Sequence, residues 1–190
     1  NKYCQTNTRI EYRKTKLHSK PFPKKILEEQ DKRLIILTPE EQQTLLTIKA
    51  SNNFITSRNR CIISIILATA LYAEEAIGLQ FDDLDLKKNC IGIGNKTNKK
   101  RKVPIDMRAC KLACLGWLEA RANALWKRKS NLLFFTDDLR PIGKRTLYRI
   151  VSKSMIEAGI DKEHLGPEVL RQTAIYNMLN SGKTIEEIQT

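Results

Sequence analysis

The stretch HLGPEVLRQTAIYNMLNSGKTIEEIQT, His164 to Thr190, sets the reading of the fold. Pro167 suits the first position of a helix, where its fixed φ is pre-organised and its missing N–H would have had no intrahelical partner. Gly182 closes that helix. Thr184, followed three residues later by Glu187, opens another through a capping box. Near the start of the Pro167 helix, Glu168 and Arg171 stand one turn apart and share a face. Two readings of the pair stay open. Arg171 presents its planar fork to a phosphate, or it forms a local ion pair with Glu168 worth only about 0.3–0.5 kcal/mol when exposed.

Working outward, the segments on either side are also mostly helical. Thr38, Pro39 and Glu41 in LTPEEQQTLL make a strong helix start with a capping box. The periodicity predicts further helices at about Arg58 to Leu71 and Ala73 to Leu79, the second ending in the acidic loop FDDLDLKK. A long helix is expected from about Met107 to Arg128, with Leu112, Leu115, Leu118, Ala122 and Leu125 along its apolar face. Another spans Lys144 to Ala158, burying Leu147, Ile150, Val151 and Met155. NLLFFTDD reads as a short buried segment. NCIGIG and RKVPI are short and β-prone, and NKTNKK between them has turn composition, so they form a hairpin. The fold class is therefore mainly α with a small β-hairpin or sheet, an α+β domain over residues 35–190. Residues 1–34 are polar and basic, and the two prolines of KLHSKPFPKK favour an extended linker.

The 190 residues carry 34 Lys+Arg against 21 Asp+Glu, a net charge of +13 that calls for a polyanionic partner. Nucleic acid is the first candidate and an acidic membrane surface the second. The longest apolar run, CIISIILATALYA, is too short to span a bilayer and contains Ser64 and Thr69, so it is expected to be a buried helix. The chain opens on Asn1 and not on methionine, and more sequence is expected upstream. Five cysteines, Cys4, Cys61, Cys90, Cys110 and Cys114, form no CxxC pair and stand with only two histidines. That composition argues against a zinc site and for reduced cysteines acting as small core residues in an intracellular setting.

The hairpin is the other candidate for chemistry. GNKTNKKRKVP holds Lys96, Lys99, Lys100, Arg101 and Lys102 and no acid. Such density on a turn suits the phosphate backbone, because each neutralised phosphate releases counterions. With no aromatic residue interleaved, a duplex fits better than a single strand.

Three stretches, in order and spacing, resemble the catalytic domain of the tyrosine recombinases, the phage integrase family. That family reads TGLRxSELLxLxWxDID, GKGNKxRxVPL and LTPHxLRHTFATxLLxxG; here stand TALYAEEAIGLQFDDLDL, NKTNKKRKVPI and LGPEVLRQTAIYNMLNSG. The resemblance runs from about Leu37 to the end. It makes residues 1–34 the linker from, and possible tail of, an amino-terminal core-binding domain. It implies a protein that binds double-stranded DNA, assembles with other recombinase subunits into a tetramer and acts in the cytoplasm on the nucleoid, away from membranes. No metal and no cofactor is implied.

In that family two arginines and a histidine hold the scissile phosphate, a hairpin lysine protonates the leaving 5′ oxygen, and a tyrosine attacks to form a 3′-phosphotyrosine. By the match, Lys96 falls on the lysine and Arg171 on the second arginine, with Lys99, Lys100, Arg101 and Lys102 as DNA contacts. Two positions depart. Tyr72 stands where the motif has arginine, and Glu168 where it has histidine. The chain stops at Thr190, ahead of the stretch in which the family carries its later His or Trp and its nucleophile. Two weaker ideas are that Tyr72 itself attacks and that His164 replaces the lost histidine. A strand-transferring recombinase or integrase and a non-cleaving DNA-binding relative that acts as partner or regulator both remain open.

Overall fold

The computed structural model describes residues 34–47, 53–94, 101–105 and 107–189. At its centre lies a helix whose second half, residues 61–68, is buried on every side. The helix Asn53–Thr69 (α2) buries Cys61, Ile62, Ile63, Ile65, Ile66 and Leu67, each at most 2% exposed. A helical stretch with no polar stripe, as this second half is, has to be surrounded. Here it packs against α4 (Arg108–Leu125) and α6 (Pro167–Asn180). α1 (Pro39–Thr47) and α5 (Lys144–Glu157) complete the shell, and α3 (Ala73–Gly78) and α7 (Ile185–Gln189) are short. Both capping boxes form: Thr38 N–H donates to Glu41 at 2.8 Å and Glu41 N–H back to Thr38 Oγ1 at 3.2 Å, with the same exchange between Thr184 and Glu187.

The expected hairpin becomes a three-stranded antiparallel sheet. β2 (Cys90–Ile93) pairs with β3 (Arg101–Pro104) in the register Ile91 to Val103 and Gly92 to Lys102. The third strand comes from the acidic loop. A 3-10 turn over Phe81–Asp83, in which the Asp83 carboxylate takes the Gln80 N–H at 2.7 Å, delivers β1 (Leu84–Asp85) to the free edge of β2. NLLFFTDD is buried as expected. It runs extended beside the end of α3, with Leu133 N–H on Leu79 O and Phe81 N–H on Asn131 O. Its Phe134 and Phe135 join Phe54 and Trp117 in an aromatic cluster with ring centroids 5.2–6.0 Å apart.

Several boundaries and one face differ from the sequence reading; α4, for one, ends at Leu125 and not at Arg128. α2 starts at Asn53 instead of Arg58, and it ends at Thr69 because Ala70 turns to φ 54°. The larger difference is in α4. Leu112 and Leu115 are each 55% exposed, and the buried stripe is Cys110, Ala113, Cys114, Trp117, Arg121 and Leu125. Small residues win this interface because they allow close approach to α2: Cys61 Sγ lies 3.6 Å from Cys114 Sγ. Burial pushes the Cys61 thiol up, in keeping with its place as a core residue. Arg121 belongs to the stripe because its guanidinium has carbonyls to bind. It donates to Ser130 O at 2.7 Å and Leu132 O at 2.9 Å, and lies over the Phe81 ring at 4.4 Å. Among the described residues no helix is long and apolar enough to cross a membrane.

Arg121→Ala leaves two acceptors without their donor in a site only 6% exposed, and is expected to lower unfolding free energy by about 3 kcal/mol. Leu112→Ala and Leu115→Ala, on the open face, should each change it by less than about 0.5 kcal/mol in the same urea titrations.

Candidate functional site

The site is built where α2 hands over to α3. Thr69 closes α2 by donating its hydroxyl to Ile65 O. Ala70 then takes the left-handed conformation, Leu71 plunges into the core at 1% exposed, and Tyr72 becomes the N-cap of α3. The Tyr72 backbone is held from below, since its N–H donates to Glu75 Oε2 at 2.9 Å and its carbonyl accepts from Ala76 N–H at 3.0 Å. Its ring stands outward, 54% exposed.

α6 supplies the opposing group. Val169, Leu170, Thr173 and Ala174 anchor it in the core. Thr173 Oγ1 accepts from Leu37 N–H at 3.0 Å and donates to Val169 O at 2.7 Å, which ties the helix to the first described segment. This leaves Arg171 facing Tyr72. The Arg171 Cζ lies 3.9 Å from the Tyr72 ring centroid, and its Nη1 is 3.4 Å from Glu168 Oε1. Arg171 Nε is shielded from solvent and has no hydrogen-bond partner. Both sequence readings of the Glu168–Arg171 pair thus touch the geometry: the ion pair forms but is long, and the guanidinium keeps donors to spare.

Tyr72 and Arg171 border a cleft of about 690 Å³. Arg101 and Lys102 of β3 share its polar wall, and Ile175, Met178 and Leu179 form an apolar one. Arg101, read from sequence as a phosphate contact, is engaged: its Nη2 lies 2.8 Å from Glu75 Oε1. Glu75 therefore joins the N-cap of α3 to the end of the hairpin. Glu74 beside it pairs with Lys144 at the start of α5. Lys102 is exposed and has no ion partner among the described residues. Lys96, Lys99 and Lys100 lie outside the described residues. His164 is exposed and does not line the cleft. Glu75 escaped the sequence reading, although its place three residues after the future N-cap is the capping-box spacing. No group of His, Cys, Asp and Glu among the described residues is arranged to hold a metal.

Helices wrapped around one central helix, with a small antiparallel sheet whose Arg101 and Lys102 share a cleft with a half-buried arginine, make the fold of a recombinase-type catalytic domain. Residues 36–190 match the model of the Phage integrase family, and the chain belongs to that family. Tyrosine recombinase XerC of Thermodesulfovibrio yellowstonii is 30% identical over 157 residues, which are 80% of this chain and 52% of the relative. Among solved structures, XerA recombinase superposes with a TM-score of 0.70 at 26% identity, covering 82% of this chain and 54% of that one. XerH site-specific recombinase bound to difH substrate, in a pre-cleavage complex, superposes with a TM-score of 0.69 at 27% identity, covering 82% and 45%. The chain spans about half the length of the curated relatives it matches.

The turn that presents Tyr72 is strained at one residue. Ala70 holds φ 54° at the position where the quoted motif carries glycine. An L-residue in that region costs about 1–2 kcal/mol, part of which glycine would return as unfolded-chain entropy. Ala70→Gly is expected to raise stability by about 1 kcal/mol, read as a higher urea midpoint at unchanged slope.

Proposed function

We propose that this chain carries the catalytic domain of a site-specific DNA recombinase and binds duplex DNA across the face bearing Tyr72, Lys102 and Arg171, with the lysines of the hairpin motif as further phosphate contacts. The observation that carries the reading is Arg171: an arginine fixed on a core-anchored helix, at the rim of a cationic cleft, with an unpartnered Nε. Membership of the family, the net charge of +13 and the DNA-bound state of XerH support it. Acting as family members do, the protein would work on the nucleoid with further recombinase subunits.

In the strand-transfer step a tyrosine oxygen attacks the scissile phosphorus, a 3′-phosphotyrosine forms, and the leaving 5′ oxygen takes a proton. Lys96 is assigned as the donor of that proton through its place in the hairpin motif. Arg171 faces the phosphate oxygens, where donors held in a water-poor site stabilise the charge of the transition state. Tyr72 is not assigned as the nucleophile. It sits at the arginine position of the motif, and its ring face is occupied by Arg171.

A second reading, a relative that binds recombination sites without cutting them, is favoured by Tyr72 and Glu168. Loss of one preorganised donor from such a site typically costs about 3–4 kcal/mol, or two to three decades of rate. Incubating the intact protein, including whatever follows Thr190, with nicked duplexes and running a denaturing gel separates the two readings. A denaturation-resistant protein–DNA band means a working nucleophile. Native complexes without such a band favour the binding-only relative.

Lys96→Ala should leave duplex affinity nearly unchanged and abolish the covalent band; persistence of the band would remove Lys96 from its assigned role. Replacing Lys99, Lys100 and Lys102 together with alanine should lower the slope of log K against log salt by about 3. An unaltered slope would mean that the hairpin faces away from DNA.

A further inference from the structure

We propose that Tyr72 is a positioning residue for Arg171: its ring is the platform that holds the guanidinium flat at the cleft, so that one arginine on an aromatic support forms the anion seat. The inference rests on the reading of Arg171 as a phosphate ligand and goes beyond it. It assigns a role to a residue that the family pattern marks only as a substitution.

The geometry separates what each part of the guanidinium does. Its carbon lies 3.9 Å from the ring centroid, well inside the range of a cation–π contact. A guanidinium laid flat on a ring keeps its in-plane N–H donors free. Glu168 approaches Nη1 alone, at 3.4 Å. The side-on edge formed by Nε and Nη2 is left with no acceptor among the described residues, and Nε is buried without a partner. A buried N–H of a charged group is costly until an acceptor meets it. Two oxygens of one phosphate match that edge as a bidentate acceptor.

The platform is itself rigid. Tyr72 is the N-cap of α3, its N–H is held by Glu75, and the preceding Leu71 is locked in the core. The same Glu75 carboxylate reaches Arg101, so Tyr72, Glu75 and Arg101 are fixed as a unit. Against this support Arg171 has few orientations left, and less side-chain freedom is lost when an anion binds. The phenol hydroxyl plays no part in this arrangement. The proposal therefore concerns the ring.

The test uses the intact protein and its Tyr72→Phe, Tyr72→Leu and Arg171→Lys variants. The Arg171 Nε–H resonance is followed during titration with inorganic phosphate, and duplex binding is measured in parallel. In the unmodified protein that N–H should resonate upfield, shielded by the ring, and should move as phosphate is added. Tyr72→Phe should keep both the shielding and the phosphate affinity, and Tyr72→Leu should lose the shielding and need about tenfold more phosphate. Arg171→Lys should lose the response. Equal phosphate affinity in all three Tyr72 forms would overturn the proposal, as would a Tyr72→Phe protein as weak as Tyr72→Leu, which would assign the role to the hydroxyl. An Arg171 N–H that ignores phosphate in the unmodified protein overturns the proposal through its premise. That outcome is told apart from the others because it appears before any Tyr72 substitution. Thermal melts of each variant check folding, and the exposed ring makes Tyr72→Leu a mild change there.

Discussion

The burial on all sides of the second half of the helix Asn53–Thr69, residues 61–68, is the constraint from which the rest follows. A helix whose last turns are buried on every side cannot end at the surface by simply running out, so the chain must leave it abruptly. It does so through the left-handed Ala70 and the buried Leu71. The residue after that anchor is delivered to the surface in a fixed direction, and that residue is Tyr72. The same helix is the floor on which Arg171's helix lies, through Val169, Leu170, Thr173 and Ala174. The two halves of the site are thus positioned by one buried object, and their 3.9 Å contact needs no bond between their backbones.

Electrostatics at the site is more frugal than the net charge of the chain implies. Among the described residues bordering Tyr72, Arg171 is offset by Glu168 and Arg101 by Glu75, while Lys144, farther out, is offset by Glu74. These partners differ in kind. The Glu168 carboxylate is mostly exposed and 3.4 Å away, so water screens it and an arriving phosphate competes with it on good terms. Glu75 is less exposed, lies 2.8 Å from Arg101 and also caps a helix, so its pair is the harder to break. Arg101 is accordingly held in a structural contact, while Lys102 has no ion partner among the described residues.

Much of the fold was legible because its signals are local. Both capping boxes, the Pro167 start, the β-prone pairs and the core face of Lys144–Glu157 need only a turn or two of context, and they stand as read. The exposed leucines of α4 were not legible. Leu112 and Leu115 score as core in any hydrophobic pattern, and only the partner helix decides that cysteine and alanine fit closer. Arg121 was hidden for a related reason, since its two carbonyl acceptors lie nine and eleven residues away in a segment with no periodic signal. The third strand was missed because a strand of two residues has no period to detect.

The candidate site divides along the same line. Motif spacing reached Arg171, Glu168 and Tyr72 one at a time, and the structure brings them within a single side-chain layer. What spacing could not convey is that the substitution at Tyr72 is not merely a lost charge. An arginine there would stand close to Arg171 and would need an anion to relieve their repulsion. A tyrosine attracts the remaining arginine instead, so the site can stay assembled while empty. On the proposed reading of Arg171 as a phosphate ligand, the exchange gives up transition-state charge and gains a preformed orientation, which weights the site toward binding.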